Sequence, residues 1–168
     1  MMKPMKKQLG IGLIEILLAL AVSALIVVVA VRYYQTASMN QRISATVNMV
    51  RDIYSAVQDA AKQPDFTLGG GDMMSDLISD GLLTQQYATN PFYGATQVTT
   101  SQPSGGGVPF LIITMEKLSD SACQQIAARL QQTMSNPPKV CGKSDPECAS
   151  CFGVPGKPTM LSVHYELY

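Results

Sequence analysis

Apolar residues are concentrated near one end of the chain. Between Ile11 and Val31, 18 of 21 positions are apolar, and only Gly12, Glu15 and Ser23 interrupt the run. At about 1.5 Å per helical residue this segment reaches about 30 Å, the thickness of a bilayer's hydrocarbon core. Further on the pattern narrows to a stripe. Ile43, Val47, Val50, Tyr54, Val57 and Ala61 recur at alternating intervals of four and three, while Gln41, Arg42, Asn48, Arg51, Asp52 and Gln58 fall between them. No proline or glycine occurs between Leu13 and Gln63. The pattern therefore predicts one helix of about 50 residues that ends near Pro64, apolar on every side in its first half and amphipathic in its second.

After Pro64 the elements are short and separated by turns. Asp72 to Ser79 reads as a short helix presenting Leu77 and Ile78, which Gly81 stops. Asn90-Pro91 opens a turn before a strand at Ala95 to Thr100, and Ser101 to Gly107 is a loop. Pro109 to Met115 reads as a buried strand, because Phe110, Leu111, Ile112 and Ile113 are consecutively apolar. Ser119 can cap a helix running to about Met134, with Cys123, Ile126, Leu130 and Met134 on one face. Leu161, Val163, Tyr165 and Leu167 alternate as a half-buried closing strand. A long helix, shorter helices and strands of this kind predict an α+β domain.

Charge sharpens this division. The 168 residues carry 12 basic and 12 acidic side chains, only 14% of the chain, where an average soluble domain has about 25%. Zero net charge without a basic run argues against a nucleic-acid partner. Lys3, Lys6 and Lys7 precede the apolar run and Arg32 follows it, so the positive-inside rule keeps the N-terminus cytoplasmic and sends the rest across the membrane. Catalysis finds little material. His164 lies within a strand pattern, no nucleophile elbow is present, and Gly69 to Gly71 and Gly105 to Gly107 lack the Lys-Ser/Thr of a phosphate loop. No enzyme activity, cofactor or metal is expected.

The anomaly is Glu15. A carboxylate inside a membrane span costs on the order of 2.5–3.5 kcal/mol, which makes it a functional hypothesis by default. Its plain role would be to reach toward the headgroups or to stabilise the positive end of the helix. Its sharper role needs a cationic partner, and a free amine on Ile11, exposed by cleavage behind Gly10, would supply one. Lys6-Lys7-Gln8-Leu9-Gly10 followed by Ile11-Gly12-Leu13-Ile14-Glu15 and an apolar helix resembles the class III leader of type IV pilins and pseudopilins. The segments Leu77 to Leu83, Asn90 to Gly94 and Leu118 to Cys123 most resemble the type IVb subgroup.

The resemblance implies a pilin-like fold: a long N-terminal helix packed on an antiparallel sheet with short extra helices. It implies four parts, a leader at 1–10, a transmembrane and filament-core segment at 11–31, an amphipathic half-helix at 32–63, and a globular head at 64–168. Cleavage and N-methylation are expected at Gly10 and Ile11, with Glu15 attracting a neighbouring subunit's amine during assembly. The implied function is a filament subunit for adhesion or aggregation, held in the inner membrane before assembly and extracellular afterwards. The implied partners are copies of itself, the prepilin peptidase, the assembly platform, an outer-membrane secretin and inner-membrane lipid. Three other readings stand beside it: a type II secretion pseudopilin, a minor or tip pilin, and an unrelated single-span anchor for an extracellular domain.

Cys123, Cys141, Cys148 and Cys151 all lie in the part expected to leave the cytoplasm, and an even count there reads as two disulfides with three possible pairings. Cys148-Ala149-Ser150-Cys151 has the spacing of a redox dithiol, but without a thioredoxin-like context. A zinc site from Cys141, Cys148 and Cys151 with Cys123 or His164 would have irregular spacing. The resemblance favours Cys123 with Cys151, and then Cys141 with Cys148.

Overall fold

The computed structural model describes residues 12–63, 71–101, 109–133, 139–140, 148–153 and 159–167. Helix α1 spans Leu13–Ala61, so the apolar run and the amphipathic stripe are one continuous element. The chain divides into two units, Met1–Ser38 and Met39–Tyr168.

In the first unit α1 is exposed on every side, including Leu13, Ile14, Leu17, Leu25 and Val29. Hydroxyls within it turn back onto the helix: Ser23 donates to the Ala19 carbonyl at 2.8 Å and Thr36 to that of Arg32 at 3.1 Å. The helix thereby satisfies both hydroxyls internally.

In the second unit α1 continues with Ile43, Val47, Val50, Ile53, Val57 and Ala60 buried. The expected stripe holds at Ile43, Val47, Val50 and Val57, with two corrections. Tyr54 is only half-buried and Ala61 is exposed, and Ile53 and Ala60 take the inward positions. Thr46 is also buried, its hydroxyl donating to the Arg42 carbonyl at 2.9 Å.

The remaining elements are α2 (Met74–Ser79), a 3-10 turn (Gln85–Ala88), β1 (Thr96–Ser101), β2 (Phe110–Leu118), α3 (Asp120–Thr133), β3 (Lys139–Val140), β4 (Cys148–Phe152) and β5 (Thr159–Glu166). The five strands form one sheet in the order β1-β2-β5-β4-β3. The pairs β1/β2, β2/β5 and β4/β5 are antiparallel, but β3 pairs parallel with β4 through Lys139↔Cys148 and Val140↔Ala149. The expected antiparallel sheet thus holds for four strands, and the fifth departs from it.

One face of the sheet carries Val98, Leu111, Ile113, Met115, Ala149, Leu161, Val163 and Tyr165, which share a core with the buried residues of α1, α2 and α3. On the other face Ile112, Thr114, Ser150 and His164 are half-buried, and Met160 and Phe152 are exposed. The four consecutive apolar residues of β2 therefore do not mark a fully buried strand. Leu111 and Ile113 are buried, whereas Phe110 and Ile112 lie on the open face, as the two-residue period of a strand dictates.

Local chemistry fixes the joints. Ser119 caps α3, its hydroxyl accepting from the Ala122 N–H at 3.3 Å and its carbonyl from the Cys123 N–H at 2.9 Å. Gly81 follows α2 at φ +73°, a conformation an L side chain rarely adopts. Asp72 covers the outer edge of β1: its carboxylate accepts from the Val98 N–H at 3.1 Å, and the Met73 N–H donates to the Val98 carbonyl at 2.7 Å.

The turn at Asn90 to Gly94 is built around one buried amide. The Asn90 side-chain oxygen accepts from the Phe92 and Gly94 N–H groups, and its nitrogen donates to the Glu116 carbonyl at 2.8 Å. A Cβ on Gly94 would lie 2.0 Å from that same carbonyl oxygen. Gly94→Ala is accordingly expected to push the turn off β2 and to destabilise the fold by about 2–4 kcal/mol, within the range of buried steric and hydrogen-bond losses. Denaturant unfolding of the detergent-solubilised chain measures it, and an unchanged midpoint would refute the assignment of this turn as a packed joint.

Candidate functional site

The start of α1 is the first candidate. Gly12 accepts from the Glu15 N–H at 2.9 Å and from the Ile16 N–H at 3.4 Å, which makes it the capping residue and places Glu15 at the third helical position. From there the Glu15 carboxylate reaches back to accept from the Gly12 N–H at 3.3 Å. This is half of a capping box, and it puts a negative charge where the helix dipole favours one. Both residues are exposed. Glu15 therefore occupies the plain role set out above, with carboxylate lone pairs left to accept from a cationic partner. Gly10 and Ile11, the expected cleavage and methylation positions, lie outside the described residues.

The second candidate is the junction of α3 with the sheet. Cys123, fully buried on α3, is joined to Cys151 on β4 by a disulfide with Cα atoms 6.0 Å apart. Thr159, at the start of β5, donates to the carboxylate of Asp120, in the first turn of α3. Gly153 sits against this pair, where a Cβ would come within 2.9 Å of the Thr159 hydroxyl oxygen. The disulfide and the hydrogen bond together fasten the start of α3 to two neighbouring strands. With Cys151 bonded to Cys123, neither sulfur is free for a dithiol with Cys148 or for a zinc ligand. Cys141 and the side chain of Cys148 lie outside the described residues, and so does the expected pairing between them.

His164 sits on the open sheet face. Its ring stacks on Phe110 with centroids 5.7 Å apart, and Nε2 is 3.0 Å from the Ser162 hydroxyl. Burial holds its pKa below the ordinary histidine value. No carboxylate bonds to the ring among the described contacts.

Sequence reasoning assigned no role to two further features. Tyr165 packs its ring 4.7 Å from that of Tyr54, and its buried hydroxyl has no hydrogen-bond partner among the described residues; burial pushes its pKa up. Tyr87 donates to the Asp52 carboxylate at 2.9 Å, and this hydrogen bond pushes its own pKa up while joining the 3-10 turn to α1. Neither contact is visible in a local pattern, because the partners are more than 30 residues apart. Clefts of about 410–470 Å³ occur on the head, among them one between α3 and β4 and one beside Tyr87 and Asp52, and these are open to solvent.

No family model matches the chain, and a search of curated proteins returns no significant match.

Proposed function

We propose that the chain is a structural subunit of a type IV pilus, of the type IVb kind, and has no enzymatic role. In this reading prepilin peptidase cuts between Gly10 and Ile11, Ile11 becomes the methylated N-terminus, and the segment 11–31 holds the subunit in the inner membrane. Polymerisation then exchanges lipid contacts for contacts with neighbouring helices. The assembly platform and secretin carry the growing filament outward, where its surface serves adhesion or aggregation.

One observation supports this reading above the others: a 49-residue helix whose first half is apolar and exposed throughout, with a single carboxylate in its first turn. Some 20 exposed apolar residues need either lipid or other helices around them. An ordinary membrane anchor accounts for the apolar length. It accounts for Glu15 only as a helix cap, and gives no reason for Gly10 standing five residues ahead of it at the edge of the apolar run.

The deciding experiment is N-terminal sequencing and intact mass of the protein from cells with and without prepilin peptidase. The expected mature chain starts at Ile11 with one added methyl group, and only where the peptidase is present. A chain that still starts at Met1 or Met2 in peptidase-positive cells would overturn the proposal and leave the unrelated-anchor reading. A correctly processed chain found only in short periplasmic filaments would favour the pseudopilin reading.

A further inference from the structure

Arg32, Tyr33 and Tyr34 follow directly on the apolar run, within the same helix, and all three are exposed. Tyr33 and Tyr34 are 77% and 74% exposed. Consecutive helical residues are turned by about 100°, so one guanidinium and two phenol rings cover about 200° of the helix circumference. A protein groove engages one face of a helix, through residues three and four apart. A collar on consecutive positions suits a partner present on all sides.

The chemistry of the collar matches the headgroup layer of a bilayer. Tyrosine joins an apolar ring to a polar hydroxyl and gathers at membrane–water interfaces, and arginine lays its stem on apolar surface while its head stays wet. Spacing gives an independent measure. Eighteen residues separate Glu15 from Tyr33, about 27 Å of helix, against a hydrocarbon core of about 30 Å. Between Glu15 and Arg32 Ser23 is the only polar side chain, and its hydroxyl is engaged by the Ala19 carbonyl.

We propose that Arg32, Tyr33 and Tyr34 form a lipid-headgroup collar that fixes the depth of α1, and so holds Glu15 in the opposite headgroup layer until the subunit leaves the membrane. The inference rests on the reading of 11–31 as a membrane span. Its consequence is that Glu15 waits hydrated on the Gly12 N–H rather than buried in hydrocarbon, and loses water only on assembly.

The chain contains no tryptophan, so single introduced tryptophans report depth. Full-length chains carrying Val22→Trp, Tyr33→Trp or Ile16→Trp are placed in vesicles of phosphatidylethanolamine and phosphatidylglycerol, brominated either near the headgroup or near the chain end. Val22→Trp should be quenched more by the deep label, and Tyr33→Trp and Ile16→Trp more by the shallow one. When Arg32, Tyr33 and Tyr34 are all replaced by alanine, the preference of Ile16→Trp for the shallow label should fall, because the helix then samples several depths. Tyr33→Trp quenched best by the deep label, or by neither, would overturn the collar, as would an unchanged preference at Ile16→Trp. Quenching of Val22→Trp by neither label would bring down the membrane span itself.

Discussion

Replacing Glu15 by glutamine should leave leader removal intact and stop filament growth, so that processed subunits accumulate in the membrane. The substitution separates the observed cap from the proposed part in assembly. As a helix cap, Glu15 accepts from the Gly12 N–H, and a glutamine at the same position can do so too. Capping therefore predicts that Glu15→Gln behaves as the parent chain does. As a partner for the amine of Ile11 on another copy, the side chain needs its negative charge. Surrounded by apolar helices, that incoming amine would be left desolvated and unpaired, which costs about 3–5 kcal/mol where one member of a buried pair is removed. At about 1.4 kcal/mol per factor of ten, subunit addition should weaken by roughly 100-fold or more. Glu15→Asp keeps the charge on a shorter arm and should retain part of the assembly. Sheared-filament yield against the pool of mature membrane subunit measures the effect. Normal filaments from Glu15→Gln would show that the residue is a cap and nothing else.

The reading of α1 needed little beyond local rules. Its length follows from the absence of proline and glycine between Leu13 and Gln63, and the observed end at Ala61 lies close to the expected stop at Pro64. Ser119 and Gly81 likewise act through their own neighbours, and both mark the joints assigned to them. What stayed hidden depends on distant partners. The strand β4 reads Cys-Ala-Ser-Cys-Phe, a sequence with little strand preference of its own. It is a strand because β5 pairs with it through Ala149↔Val163 to Phe152↔Met160. The two-residue β3 in parallel beside it has no local signal at all.

The candidate site divides in the same way. Glu15 stands out in sequence because a charge is costly in an apolar run, and its environment in the structure is formed by residues three positions away. Asn90 does not stand out, since an Asn-Pro pair is an ordinary turn signal. Its role as a buried hub becomes visible only with the Glu116 carbonyl, 26 residues further along the chain. The inward phase of Ile53 and Ala60 is a smaller case of the same kind, where the packing surface of the sheet, rather than the 3.6-residue period alone, selects which side chains turn in.

Removing the link between Cys123 and Cys151 should produce a large loss of stability. The bond closes a segment with a sequence separation of 28, and for loops of that size the chain-entropy model gives about 3–4 kcal/mol. Set against a typical domain stability of about 5–15 kcal/mol, this is a large share. Local packing offers little to replace it, because in β4 Ala149 is buried while Cys151 and Phe152 are exposed. The side chain of Cys123 is fully buried, so alanine is the suitable replacement there, since a serine hydroxyl would add the cost of an unpaired polar group. Cys123→Ala combined with Cys151→Ser should lower the Tm of the detergent-solubilised chain by roughly 10–15 °C. The loss should be uneven. Amides of Ser150 to Phe152 should exchange with solvent much faster, while those of β1 and β2, held through Val98, Leu111 and Ile113 in the core, should change little. The hydrogen bond from Thr159 to Asp120 then becomes the remaining described side-chain bond of the two that fasten the start of α3 to the sheet, and Thr159→Val in the double variant should cost more than in the parent. Equal melting of parent and double variant, or faster exchange spread uniformly over the sheet, would show that the disulfide does not fasten this edge.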